Sequence, residues 1–105
     1  MATFQNSRLT NINTTLTEAY SSTSDSTIVL SILVTNKNGL QPADVTVTQN
    51  TGGSIDSYLA FTIPVPNDAN LELLANKFVL PSGKSIRIAS SASGYLDATL
   101  SVVQV

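Results

Sequence analysis

At 105 residues, with 42% apolar and 11% charged side chains, the chain is sized for one domain around one core, residues 1–105. Net charge is −2, and the five basic residues (Arg8, Lys37, Lys77, Lys84, Arg87) are scattered, so no stripe exists to neutralise phosphates and nucleic acid is excluded as the main partner. With no Cys and no His, disulfides, thiolate and imidazole metal sites, and Ser-His-Asp or Cys-His catalysis are excluded together.

In chain order, Ala2 to Ile12 reads as an arm leading into a first strand, so residues 1–12 are an N-terminal arm or an edge strand. Leu16 to Tyr20 is a short second strand, and the polar break Ser21 to Ser26 is a turn or linker. Thr27 to Thr35 is the most buried candidate. Strict alternation puts Ile28, Leu30, Ile32 and Val34 on one face and Val29 and Leu33 on the other, as in a central strand covered on both sides. Asn36 to Gly39 is a turn, with Asn38-Gly39 suited to positive φ.

Asp44 to Gln49 alternates next, Val45 and Val47 inward against Thr46 and Thr48 outward. Asn50-Thr51-Gly52-Gly53 joins it as a hairpin to Ile55–Ile63, with Ile55, Leu59, Phe61 and Ile63 predicted inside and Asp56, Tyr58, Ala60 and Thr62 outside. Pro64 and Pro66 end that strand, since neither can donate to a ladder. Leu71, Leu73 and Leu74 form a short strand. From Lys77 onward three apolar runs are separated by Pro81-Ser82-Gly83 and Ala92-Ser93-Gly94, and they read as a C-terminal meander. Ile86 and Ile88 share one face of it, as do Leu96, Ala98, Leu100 and Val102. The fold class is therefore all-β: one antiparallel β-sandwich or jelly roll of seven to nine short strands.

No constellation points to a reaction. Ser82-Gly83-Lys84-Ser85 holds a Ser and a Lys, but in a tight turn the amine is solvated and charged; the same tetrapeptide lacks the upstream glycine and following helix of a phosphate loop. The seven carboxylates (Glu18, Asp25, Asp44, Asp56, Asp68, Glu72, Asp97) are dispersed and read as solvated faces and turns rather than a glycosidase pair. Asn67-Asp68-Ala69-Asn70 lacks the length and closing carboxylate of a calcium hand. No catalytic, cofactor or metal residue is assigned. Ser and Thr make up about a quarter of the chain, well above average usage, and such low-charge strand faces are inexpensive to desolvate, which biases the reading toward assembly. The absence of a signal-peptide pattern or a long apolar run predicts a soluble chain made in a cytoplasm, with no membrane partner.

The whole chain resembles small virion structural proteins of tailed bacteriophages, particularly those of cyanophages and marine phages. The likeness lies in the opening Met-Ala-Thr-Phe-Gln-Asn, the Thr-rich Leu9–Thr17 stretch, Ile63-Pro64-Val65-Pro66, Leu80-Pro81-Ser82-Gly83-Lys84-Ser85-Ile86, and the closing Leu100-Ser101-Val102-Val103. The resemblance implies a virion location, with capsid decoration (cement) on the major capsid protein, or a neck or tail accessory role. It also implies a homo-oligomer, a cyclic trimer suiting quasi-threefold lattice points. Phe4, Leu9 and Ile12 of the arm, with Val29 and Leu33 of the central strand, are the expected interface residues. A carbohydrate-binding or fibre-tip module is the competing reading, for which Tyr58 and Tyr95 would supply the aromatic platform.

Overall fold

The structure, a computed structural model, describes residues 3–23, 26–74 and 76–104. Within these, alternating side chains and glycine-bearing turns produce nine strands and no helix: β1 (Thr3–Leu9), β2 (Thr17–Ser21), β3 (Ser26–Asn36), β4 (Ala43–Thr51), β5 (Ser54–Val65), β6 (Asn70–Glu72), β7 (Phe78–Pro81), β8 (Lys84–Ser90) and β9 (Leu96–Gln104). All pairings are antiparallel. One sheet has the order β1-β9-β3-β6, with β7 also on β3; the other has the order β2-β8-β4-β5. Because β6 and β7 occupy successive stretches of the same edge of β3, they act as one broken strand. The result is a jelly roll of two four-stranded layers.

The core lies between the layers. From the first sheet come Val29, Ile32, Val34, Leu80, Leu96, Ala98, Leu100 and Val102; from the second come Ala19, Ala43, Val45, Val47, Val65, Ile86 and Ile88. Ile12, in the link from β1 to β2, completes it. Polar groups inside this core are paired. Thr27 Oγ1 meets Tyr20 Oη at 3.2 Å and Ser22 Oγ at 2.9 Å, and Gln104 Nε2 donates to Tyr20 Oη at 2.8 Å. Asn36 Nδ2 donates to the carbonyls of Gln41 and Val65 at 3.1 and 3.0 Å, while Asn36 Oδ1 accepts from the Asn38 N–H at 2.9 Å. Buried polar atoms are tolerated when they have such partners; Arg87 Nε, under the outer face of the second sheet, is the exception among the described residues.

The β4–β5 hairpin forms as its Gly-Gly connection predicts, with Gly52 at φ 58°, a conformation a side chain resists. The C-terminal meander does not form. β7 belongs to the first sheet, β8 to the second, and β9 returns to the first. The reason lies in the turns, which bond to another connection instead of closing on themselves. Gly83 N–H donates to Ser22 O at 3.0 Å and Ser22 N–H to Lys84 O at 2.9 Å, so the β7–β8 corner crosses the sandwich beside the β2–β3 link. Likewise Ile12 N–H donates to Leu96 O at 2.9 Å and Ser90 N–H to Asn13 O at 2.8 Å, placing the β8–β9 crossing beside the β1–β2 link.

The side-chain faces of β3 also differ from strict alternation. Val29 pairs with Val102 and Ser31 with Ser101, leaving Leu30 as an extra, bulged residue. The bulge reverses parity, so Thr27, Val29, Ile32, Val34 and Asn36 point inward while Ile28, Ser31, Leu33 and Thr35 point outward. In β5 three register irregularities have the same effect. Ile55 and Phe61, predicted inside, are exposed, and only Val65 is fully buried. Thr48, predicted outside, is buried, opposite Arg87 on one neighbour and Tyr58 on the other.

Candidate interaction surfaces

Lys84, Asp56, Lys37 and Asp97 are occupied in holding loops. Lys84 Nζ donates to Thr51 Oγ1 at 2.6 Å and lies 4.0 Å from Asp56 Oδ2, which itself accepts from Thr51 Oγ1 at 2.7 Å. These contacts clamp the tip of the β4–β5 hairpin and tie up the lysine of the Ser-Gly-Lys-Ser turn. Lys37 Nζ pairs with Asp97 Oδ1 at 3.1 Å and also bonds Asn11 Oδ1, whose backbone N–H reaches the same carboxylate at 2.8 Å. That cluster fixes the β1–β2 link, where Asn11 sits at φ 52°. Asp25 lies outside the described residues. Among the described residues, no three Asp or Glu gather as a metal site.

Glu72 has a structural task that composition does not reveal. At the bulge of β3, between the stretches paired to β6 and β7, its carboxylate accepts from Ser31 Oγ and from the N–H groups of Ile32 (2.8 Å) and Leu74 (3.1 Å). Burial alone would raise its pKa. The hydrogen bonds from Ser31 and from the backbone of Ile32, Leu74 and Leu73 outweigh that, holding the group below the ordinary 4.5.

The five expected interface residues separate into two groups. Ile12 and Val29 are buried inside the sandwich, Val29 because the Leu30 bulge turns it inward, so neither presents a surface to a partner. Leu9 is half-buried against the core. Phe4 and Leu33 remain on the outside of the β1-β9-β3 sheet, Phe4 with 77% of its surface exposed. Ladder register collects further residues around them. Phe4 lies opposite Val103, Val103 opposite Ile28, and Ile28 opposite Val79, which makes one apolar row across four strands. Val79 is 58% exposed. Two rungs along, Arg8 lies opposite Thr99, Thr99 opposite Leu33, and Leu33 opposite Glu72. Beside Phe4 is an open depression of about 340 Å³, lined by Phe4, Gln5, Asn6, Leu30, Ser101 and Val102.

Sequence reasoning missed Val79, Ile28 and Arg8 as members of one face. Phe78-Val79-Leu80 carried a signal, since three consecutive apolar residues in a strand cannot all face inward. On the other sheet, Tyr58 and Phe61 are 53% and 60% exposed and meet edge to face, centroids 4.9 Å apart at 80°. Tyr95, the second residue of the expected sugar platform, is instead half-buried against the core.

No family model matches the chain, and no curated protein does. Among solved structures, a chain of Bacillus endospore appendages, described as a novel family of disulfide-linked pili, shares the fold: TM-score 0.57 at 15% identity, over 99% of this chain and 86% of that one. The likeness is one of fold, a β-sandwich in both.

Proposed function

We propose that this chain is a non-enzymatic structural protein of a virion, a capsid decoration protein that binds the major capsid lattice in many copies and stabilises the head. The observation that carries the reading is the placement of side chains. Apolar groups (Phe4, Val79, Tyr58, Phe61) project from the outer faces of the jelly roll, while Lys37, Lys84, Asp56, Asp97 and Glu72 brace loops and a bulge. Exposed apolar patches on a polar-rimmed surface mark contact sites. A fold shared with a pilus subunit supports a structural role, and the virion assignment rests on the sequence resemblance. Disulfide linkage of the kind described for those pili is closed to this sequence, which has no cysteine.

Weak individual contacts suffice for such a protein, because an oligomer that engages several lattice points at once is retained far better than one copy. The test is co-sedimentation of the purified chain with capsid shells. Saturable binding at hundreds of copies per particle is expected; a neck or tail part would appear in six or twelve copies, and failure to bind shells would overturn the assignment. An edge-to-face Tyr58–Phe61 pair offers no flat platform for a sugar ring, so silence on a glycan array is expected.

A further inference from the structure

We propose that the outer face of the β1-β9-β3-β6/β7 sheet is a self-association surface, on which a second copy of this chain packs face to face about a two-fold axis running along the strands. The face carries two transverse rows. One is apolar from edge to edge: Phe4, Val103, Ile28, Val79. The other begins with a cation on β1 and ends with an anion on β6: Arg8, Thr99, Leu33, Glu72.

A two-fold axis parallel to the strands keeps each row against the same row of the partner but reverses its direction. The apolar row then meets itself end for end, Phe4 of one copy over Val79 of the other, twice, with Val103 over Ile28 in the middle. The charged row meets itself with Arg8 over Glu72, also twice. A two-fold axis across the strands would instead set Phe4 against Arg8 and Val79 against Glu72, desolvating charges on apolar groups. The charge pattern therefore selects the occupant and its orientation together: this face is complementary to itself in one arrangement.

Both charged groups are free to take part. Arg8 is exposed and makes no hydrogen bond or ion pair among the described residues. The Glu72 carboxylate, on the exposed edge of the sheet, accepts from Ser31, Ile32 and Leu74 within the chain, and its negative charge faces the partner's Arg8 in this arrangement. The depression beside Phe4 lies where the reversed row delivers the partner's Val79 edge. Sheets packed this way cross at about 30°, so contacts are best at the middle of the face over half-buried Ile28, Val103 being almost covered within its own chain, and loosen toward the corners. Four strands at about 4.8 Å spacing and some six residues of length give roughly 400 Å² of face per copy, about 800 Å² in total, below the range of stable interfaces and within that of weak, transient ones. A weak, concentration-dependent pair follows, not an obligate dimer. It stands independently of the capsid assignment and differs from the trimer that the phage resemblance implies.

Sedimentation equilibrium over a wide concentration range should fit a monomer–dimer equilibrium. Phe4→Ser and Arg8→Glu, both at exposed positions, should each raise its Kd about tenfold or more without changing the melting temperature. Because the chain has no cysteine, cross-linking reports geometry without background. Phe4 and Val79 are three strand spacings apart within one copy, about 14 Å, well beyond the reach of a disulfide. A mixture of Phe4→Cys and Val79→Cys chains should therefore form intermolecular disulfides faster than either variant alone. A chain that stays monomeric throughout, a dimer indifferent to Phe4→Ser, or single variants that cross-link as fast as the mixture would each overturn the proposal. A monomer that binds shells through Phe4 would assign the face to the lattice protein and overturn it as well. Shells are absent from all the self-association measurements, so their failure is distinguishable from failure of the capsid reading.

Discussion

β9 and β5 are the instructive pair. Both read as alternating strands, strictly from Leu96 to Val102 in β9 and with lapses at Ser57 and Ala60 in β5, and both are long by the standard of this fold. β9 lies between β1 and β3, paired on both sides, and its Leu96, Ala98, Leu100 and Val102 are all sealed in the core. β5 is an edge strand paired only with β4, through a ladder broken three times, and it leaves Ile55, Tyr58 and Phe61 in the open. Alternation fixes which residues share a face only while the ladder is unbroken. β9 takes no extra residue in either of its ladders, the one bulge against it lying in β3, whereas β5 takes three against β4. The same pattern thus builds core in one place and leaves apolar side chains exposed in another.

The sharpest way to break that comparison is to remove a side chain from β9. Leu100→Ala takes a fully buried leucine from the centre of the sandwich and should cost about 2–5 kcal/mol. For a domain of this size that is a fall in melting temperature of about 10 °C or more, readable by circular dichroism. A shift of only a degree or two would mean that β9 is no better packed than β5.

Asn36→Ala comes next. Asn36 ends β3 and satisfies the carbonyls of Gln41 and Val65, the last residue of β5 and its one fully buried position. Losing both donors strands two carbonyls, at about 2 kcal/mol in total. Urea unfolding should show this as a lower midpoint with an unchanged slope. Should the midpoint stay put, β5 would be held by its β4 ladder alone.

These two residues also show how far the sequence could be read. Leu100 belongs to an alternation unbroken from Leu96 to Val102, and its inward face is legible without a structure, as is the turn at Gly52-Gly53. Asn38-Gly39 bends the chain, but neither residue takes the positive φ expected there. Asn36 reads as a turn residue; its role inside the core depends on Gln41 and Val65, which nothing local brings near it. Bulges were illegible for a related reason. Leu30 is extra only relative to its partner β9, some seventy residues away, so one strand's pattern cannot reveal it. That single residue moved Val29 off the expected interface and brought Ile28 onto the outer face. Phe4 was legible as a surface residue; its row with Val103, Ile28 and Val79 was not, because it depends on the register of three ladders. The C-terminal meander failed similarly, since alternation shows that a strand has a buried face and is silent on which sheet supplies the cover.

Glu72 tests the repair at such a bulge and should give a smaller effect. Its folded-state pKa is lowered, so its contribution to stability is fully present above the unfolded value near 4.5 and is lost as pH falls through the lower, folded value. Glu72→Gln keeps the size but weakens the acceptor to Ser31, Ile32 and Leu74. At neutral pH it should cost about 1 kcal/mol, the modest figure befitting a largely exposed group. The difference in melting temperature between the two proteins should close as pH drops below 4.5. A difference that persisted unchanged in acid would show that the bulge at Leu30 is set by β9 and β7 without the carboxylate.

The smallest expected effect is the most informative about β5. Phe61→Ser removes a large apolar side chain whose ring is mostly in solvent and touches Tyr58 edge to face. If it is surface, the change should fall within about 0.5 kcal/mol, the range for exposed positions, with a marginal gain in solubility. An aromatic contact of this kind adds about 0.5–1.5 kcal/mol beyond its area when sheltered, so a larger loss has a definite meaning. A cost above about 1.5 kcal/mol would place the Tyr58–Phe61 pair in a second, outer cluster covering Thr48. In that case the open ladder of β5 would be building core after all, on the far side of its own sheet.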